Sequence, residues 1–397
     1  MGALLHPRDG KPACQPGITV LLSDHPDWLD GRRIALLSHR AAVDRRGRTT
    51  AAMVRAAHGG NLVALFSPEH GFAGAAAAGA KVGDSRHPAW NIPIHSLYGA
   101  QRKPLPAMLR DIDLMLYDLQ DIAARPYTYV STLRYWLEAA AEQDIPVIVA
   151  DRPVPLPDTV DGPVLEAAQS SFVGAVRTPM VYGMTPGETA RWLARDLRLA
   201  LDLRIAPLRG YRRQARPGRL WPRWVPPSPR MRTWQTAWCF AATVFTEALP
   251  VADNGTGTNE VFQVLGLPAP LGHRFREALE GRPVPGAILR GQAFTPTGGR
   301  HARQRLQGVA IRAINPAEFR PAFTALILLQ AMQKVIGERK MWEGDGSRPD
   351  FFDKLFGTAD VRTALRDGVS PRAIAATWSA GIARFKAARA RCLLYAG

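Results

Sequence analysis

Hydrophobic residues gather along this chain in short unbroken runs, most of which stop on acid, with stretches of helical spacing between them. Arg33 to Leu37, Asn61 to Phe66, Ile112 to Tyr117 and Pro146 to Ala150 are such runs. Continuous apolar segments of this length predict strands buried on both faces, as in a parallel sheet covered by helices. Gly59-Gly60 introduces the second run and Pro68 ends it, residue types that punctuate regular structure. Thr49 to Ala57 has helix spacing. So do Leu133, Trp136, Leu137 and Ala140, which follow Ser131, a residue suited to cap a helix N-terminus. Strand, acidic loop, amphipathic helix, strand is a βαβ unit, and its right-handed crossover makes the strands parallel. Three strands therefore carry Glu69, Asp118 with Asp121, and Asp151 to one edge of one sheet.

Met180 to Gly183 reads as a further short strand, and Thr185-Pro186-Gly187-Glu188 as a capping box opening a helix to about Ala200. Leu201 to Leu208 supplies an edge strand, and the proline-rich stretch from Pro217 to Pro229 an irregular crossing. The texture changes from about Val264. Gly272 to Glu280 is helical, Leu306 to Ile314 alternates like a strand, and Pro316 to Ile336 holds a long helix with Leu326, Leu329 and Met332 on one side. Helices near Ala359 to Arg366 and Pro371 to Arg391 finish the chain. These elements describe an α/β domain followed by an accessory α+β domain. The expected divisions are an N-terminal extension (1–32), a catalytic domain (33–240) and a C-terminal domain (241–397).

With 397 residues and 46% hydrophobic composition the chain can bury a sizeable core. Cys14, Cys239 and Cys392 match no metal-ligand spacing and read as thiols in a reduced setting. No apolar run approaches the roughly 18 residues of a membrane span. Met1 to Gly10 lacks an export signal, which as written implies a cytoplasmic protein, or a periplasmic or extracellular one if translation starts elsewhere. The net charge of +17 favours anionic partners. Most of it is arginine scattered along helices, apart from Arg204 to Trp238, where arginines interleave with Tyr211, Trp221, Trp224, Trp234 and Trp238.

The chemistry gathers at Ser67-Pro68-Glu69-His70-Gly71-Phe72-Ala73-Gly74, at the carboxyl end of a strand, where open parallel sheets place their sites. That segment resembles the signature of the NamZ-type exo-β-N-acetylmuramidases. The resemblance continues through Ser96-Leu97-Tyr98-Gly99, Tyr117-Asp118-Leu119-Gln120-Asp121, Arg125 with Tyr127-Thr128-Tyr129, and Asp151-Arg152-Pro153. It extends to Val160-Asp161-Gly162-Pro163, Gly183-Met184-Thr185, Pro226-Pro227-Ser228-Pro229, and Phe352-Asp353 with Gly357-Thr358, so it covers the chain from about Arg33 to the end.

The resemblance implies a Rossmann-like, doubly wound parallel sheet with a smaller C-terminal domain. It also implies release of terminal N-acetylmuramic acid from peptidoglycan-derived muropeptides or disaccharides, with no cofactor. Glycoside hydrolysis uses two carboxyl groups. Glu69, expected to be shielded by Phe66 and Phe72, is the proposed general acid, with Asp118 or Asp121 as its partner. His70 can bond Glu69 or a sugar hydroxyl, and Tyr127, Tyr129 and Tyr182 can offer rings to a pyranose. Arg125 and Arg152 are candidates for the lactyl carboxylate, and Gly71, Asp151, Asp161 and Glu247 for further sugar contacts. The family pattern is broken at Ala76-Ala77-Ala78-Gly79, where an acid is usual, and around Glu247-Ala248-Leu249-Pro250 and Asn254 to Thr258.

Three other readings compete. The Glu69, His70, Asp118, Asp121 and Asp151 cluster suits a hard metal ion, although no metal is expected. The arginine–tryptophan stretch suits nucleic acid, although none is expected as a partner. The altered Glu247 loop suits a catalytically silent sugar-binding relative.

Overall fold

A computed structural model describes residues 14–57, 61–215, 217–221 and 223–396, so the Met1–Gly10 and Gly59-Gly60 expectations lie outside the described residues. The apolar runs form a sheet of seven strands: β1 Arg33–Ser38, β2 Asn61–Ser67, β3 Ser85–Arg86, β4 Pro93–Ser96, β5 Leu114–Asp118, β6 Val147–Ala150 and β7 Leu203–Ala206. Their order is β3-β4-β2-β1-β5-β6-β7. Every pairing is parallel except that of the two-residue β3 with β4.

Alternate residues serve the two faces. Ala35, Leu37, Phe66, Met115, Tyr117, Val147 and Val149 pack with helices Tyr129–Glu142 and Pro186–Asp196. Ile34, Leu36, Leu65, Leu114, Leu116 and Ile148 pack with Gly17–Asp24 and Thr50–Ala56. Both faces are thus covered, which is why the strands read as unbroken hydrophobic runs. The helix Gly17–Asp24 belongs to this sandwich: a Cβ on Gly17 would stand 2.2 Å from the Asp151 amide nitrogen.

Two local expectations are corrected. The helix after β5 begins at Tyr129 behind Thr128, so Ser131 lies inside its first turn and caps nothing. Ser131 Oγ has no hydrogen-bond partner there. The 180–183 segment is no strand. Val181 makes isolated bridges to Ala124 and Asp161. The capping box is present, with Glu188 Oε2 accepting from the Thr185 amide at 3.0 Å.

The second sheet is antiparallel, β8 Val264–Pro268, β9 Ala287–Phe294 and β10 Leu306–Ala313 in the order β8-β10-β9. Helix Leu271–Leu279 packs on β8 and β10, and helix Pro321–Ile336 packs on it in turn. The expected terminal helix is two, Pro371–Thr377 and Ser379–Ala390. One hydrophobic core runs through both halves, from Phe66 and Trp136 to Leu326, Phe352 and Phe385.

The end of the chain returns to the parallel sheet. Tyr395 Oη donates to Asp151 Oδ2 at 2.5 Å, and Asp151 also accepts from Thr185 Oγ1 at 2.8 Å and the Gly187 amide at 2.7 Å. Burial pushes the Asp151 carboxyl from 3.8 up to about 7, with Tyr395 opposing the rise and the Glu188 charge adding to it. A folded-state value above the unfolded one means that the folded chain keeps a proton the unfolded chain has released. The associated stability is complete below about pH 4 and is lost as the pH rises through about 7. Asp151→Asn is expected to flatten that decline in unfolding free energy, measured by urea denaturation from pH 4 to 8. A decline parallel to that of the parent chain would contradict the assignment.

Candidate active site

A cavity of about 680 Å³ opens beyond the carboxyl end of β2, between the two halves of the chain. Glu69, His70, Gly79, Tyr98, Arg102, Tyr127 and Thr128 line it from the parallel-sheet side. Ser228, Arg230, Glu247, Phe262, Arg348, Phe351 and Lys354 close it from the other. Its size suits a small sugar.

Glu69 follows β2 in a tight turn in which His70 and Gly71 have φ of 73° and 76°, a backbone region costly for a residue with a side chain. That cost is met by a cross-bond, since His70 Nδ1 donates to the Ala76 carbonyl at 2.8 Å. Because a carbonyl only accepts, the bond sets the proton on Nδ1 and leaves Nε2 as the free ring nitrogen. The small-residue loop is thereby folded over Glu69. The Gly79 amide donates to Glu69 Oε1 at 2.9 Å, and Thr128 Oγ1 donates to Oε2 at 2.7 Å. Phe66 and Phe72 are not what surrounds this carboxylate. Phe66 packs on Trp136 in the core, and Phe72 packs edge-on against His87. Tyr98 stands closer, its phenol pushed up to about 12 by burial and then by the Glu69 charge.

Glu247 ends the short helix Val244–Glu247, with 34% of its side chain exposed. Its Oε1 accepts from Arg230 Nη1 at 3.2 Å, and Arg230 Nη2 donates to Asn254 Oδ1 at 2.8 Å. Arg348 donates to the Glu247 carbonyl. Burial raises the Glu247 carboxyl, the Arg230 charge lowers it, and the Glu69 charge raises it again. Glu69 and Glu247 are thus electrically coupled, and they are the two acidic side chains lining the cavity among the described residues.

The expected aspartates stand elsewhere. Asp118 is fully buried in a two-point ion pair with Arg152, which is 2.9 Å away at Nη2, and also accepts from Thr50. His39 belongs to the same buried layer: its Nε2 accepts from the Gln120 amide, and burial followed by the Arg152 charge takes its pKa down to about 3. Asp121 accepts from the Ile122 and Ala123 amides and from Tyr182 Oη at 3.2 Å, and burial raises it to about 6. The sheet edge is shared as expected, but these carboxylates are buried in the protein and do not line the cavity. Asp161 caps the helix Pro321–Ile336, accepting from the Ala322 amide at 2.7 Å. Among the described residues no three His, Cys, Asp or Glu side chains converge as a metal would require.

The two arginines expected at a lactyl carboxylate are likewise committed. Arg152 holds Asp118, and Arg125 is fully buried with its guanidinium on the carbonyls of Pro163, Thr178 and Phe356. Of the aromatics, Tyr127 lines the cavity and its hydroxyl has no partner. Tyr129 stands behind it, donating to the Pro227 carbonyl at 2.6 Å, and Tyr182 is in the core with Asp121. Around the arginine–tryptophan stretch, Trp221 donates to Gln120, Trp224 to the Met231 carbonyl and Trp238 to the Pro155 carbonyl. Tyr98, Thr128 and Ser228 sat inside quoted motifs without an assigned role. Arg230 lies in the arginine–tryptophan stretch, read there for a different role, and Arg102 and Lys354 carried no sequence signal that set them apart from other surface cations.

The family domain described as Exo-beta-N-acetylmuramidase NamZ, N-terminal, matches residues 34–235, and its C-terminal counterpart matches 238–395. The peptidoglycan beta-N-acetylmuramidase NamZ of Bacillus subtilis (strain 168) is 32% identical over 386 residues, or 97% of this chain and 92% of that protein. A crystal structure of a DUF1343 family protein from Bacteroides fragilis NCTC 9343 aligns with a TM-score of 0.90 at 28% identity, covering 97% of this chain and 99% of that one. A second from the same organism gives 0.72 at 27% identity, covering 96% and 99%. The chain therefore belongs to the exo-β-N-acetylmuramidase NamZ family of glycosidases.

Proposed function

We propose that this chain hydrolyses the bond joining a terminal, non-reducing N-acetylmuramic acid to the next sugar of a peptidoglycan fragment, in the Glu69–Glu247 cavity. The observation that carries the reading is that two carboxylates, Glu69 and Glu247, line one sugar-sized cavity together with the aromatic side chains of Tyr127, Phe262 and Phe351. Glycoside cleavage needs a proton delivered to the leaving oxygen and a carboxylate on the other side of the anomeric carbon. Glu69 serves as the general acid, oriented by Gly79 and Thr128. Glu247 replaces Asp118 and Asp121 as the second carboxylate, its charge supported by Arg230. His70 and Thr128 position Glu69 rather than touch the reacting atoms.

Incubation with a chromogenic β-N-acetylmuraminide tests this. Glu69→Gln and Glu247→Gln are each expected to lose at least roughly a hundredfold in kcat, the usual scale for a proton-transfer group. Full activity in either variant would remove that residue from the mechanism. The charge balance around Glu247 makes a second prediction. Arg230 holds the Glu247 carboxyl down, so Arg230→Met lets it rise, and the acidic limb of the kcat/KM profile is expected to move to higher pH. A limb that stays in place would show that Glu247 does not set it.

A further inference from the structure

Four cations line the cavity, and two of them are already engaged. Arg230 is held by Glu247 and Asn254, and Arg348 by the Glu247 carbonyl and the Phe351 ring. Arg102 and Lys354 have no ion-pair partner among the described residues, although both line the same cavity. They stand on either side of one loop. The Arg102 guanidinium lies 4.1 Å from the centre of the Phe172 ring and 4.8 Å from that of Tyr98. The Lys354 carbonyl lies 3.4 Å from where a Cβ on Gly174 would stand. Ser171 and Gly174 close the loop with reciprocal backbone bonds of 3.2 and 3.0 Å. Its other end is tied to the Lys354 side by the Glu166 amide on the Gly357 carbonyl at 2.8 Å and by Thr358 Oγ1 on Glu166 Oε1 at 2.8 Å. Ser171 also lines the cavity, and its buried hydroxyl has no hydrogen-bond partner.

We propose that Arg102, Lys354 and Ser171 form a carboxylate subsite that selects a sugar bearing an acidic ether over the same sugar without it. Stacking on Phe172 and Tyr98 holds the guanidinium plane in place, so little freedom is lost when its N–H groups meet a carboxylate. Lys354 adds a second charge, and Ser171 can donate a third bond. This rests on the muramidase reading, under which the anion is the lactyl carboxylate. It predicts that a free carboxylate is preferred to one masked as an amide, because an amide carries no charge to meet the two cations.

Binding without turnover separates the two claims. Calorimetry of free N-acetylmuramic acid, its lactyl amide and N-acetylglucosamine is expected to give the wild-type chain at least a tenfold preference for the free acid, weakening with salt. Arg102→Met and Lys354→Met should each erase most of that preference while leaving N-acetylglucosamine binding unchanged, and Lys354→Arg should restore part of it. Equal binding of all three sugars, or a preference that survives both methionine variants, overturns the subsite. Selective binding with no cleavage of the chromogenic muraminide leaves the subsite standing and refutes the hydrolase reading.

Discussion

The geometry of this site depends on a cation that never meets a substrate. Arg125 is fully buried and faces no carboxylate. Its two terminal nitrogens donate to carbonyls from two distant parts of the chain, Pro163 and Thr178 on one side and Phe356 on the other, while Nε is buried without a partner. Burial lowers its pKa to about 9, which leaves it charged at neutral pH, and the carbonyl dipoles solvate that buried charge. Gly357 lets the turn come this close: its φ is 86°, and a Cβ there would lie 2.3 Å from Arg125 Nη2. Tyr127 and Thr128 follow Arg125 closely in sequence, and Lys354 precedes Phe356 by two residues. One buried contact therefore fixes the spacing between the wall that orients Glu69 and the wall that carries Lys354.

Such an arrangement explains which parts of the site were legible in the sequence. Strand ends could be read because buried strands are continuous apolar runs, and β2, β5 and β6 do bring Glu69, Asp118 and Asp151 to one edge. Depth could not be read. Asp118 and Glu69 look alike as acids after strands, yet Arg152 and Thr50 seal one in the protein while the other faces the cavity. The partners that decide this come from residues far apart in sequence. The same holds for the cations: Arg125 is taken up by buried carbonyls and Arg152 by Asp118, whereas Arg102 and Lys354 line the cavity and form no ion pair among the described residues.

Local signals failed where tertiary contacts overrode them. Ser131 has the chemistry of a cap, but the helix starts two residues earlier, because Thr128 gives its hydroxyl to Glu69 and Tyr129 bonds Pro227. Residues 180–183 are apolar enough for a strand, but their edges are taken by Arg125, Asp161 and Arg389 in a loop crossing. The capping box at Thr185 held because both of its halves lie within one turn. At the two places where the sequence was expected to depart from the family pattern, near Ala77 and around Glu247, the Gly79 amide reaches Glu69 and Asn254 accepts from Arg230.

In the proposed reaction, one cavity between the two halves holds the anomeric centre between Glu69 and Glu247. A crystal structure of the Glu69→Gln protein with a bound N-acetylmuramic acid disaccharide measures this directly. The scissile oxygen is expected within hydrogen-bond reach of residue 69, with the Glu247 carboxylate facing the opposite side of the anomeric carbon. A sugar seated over Asp118 or Asp121, or one that leaves Glu247 turned away from it, would contradict the account.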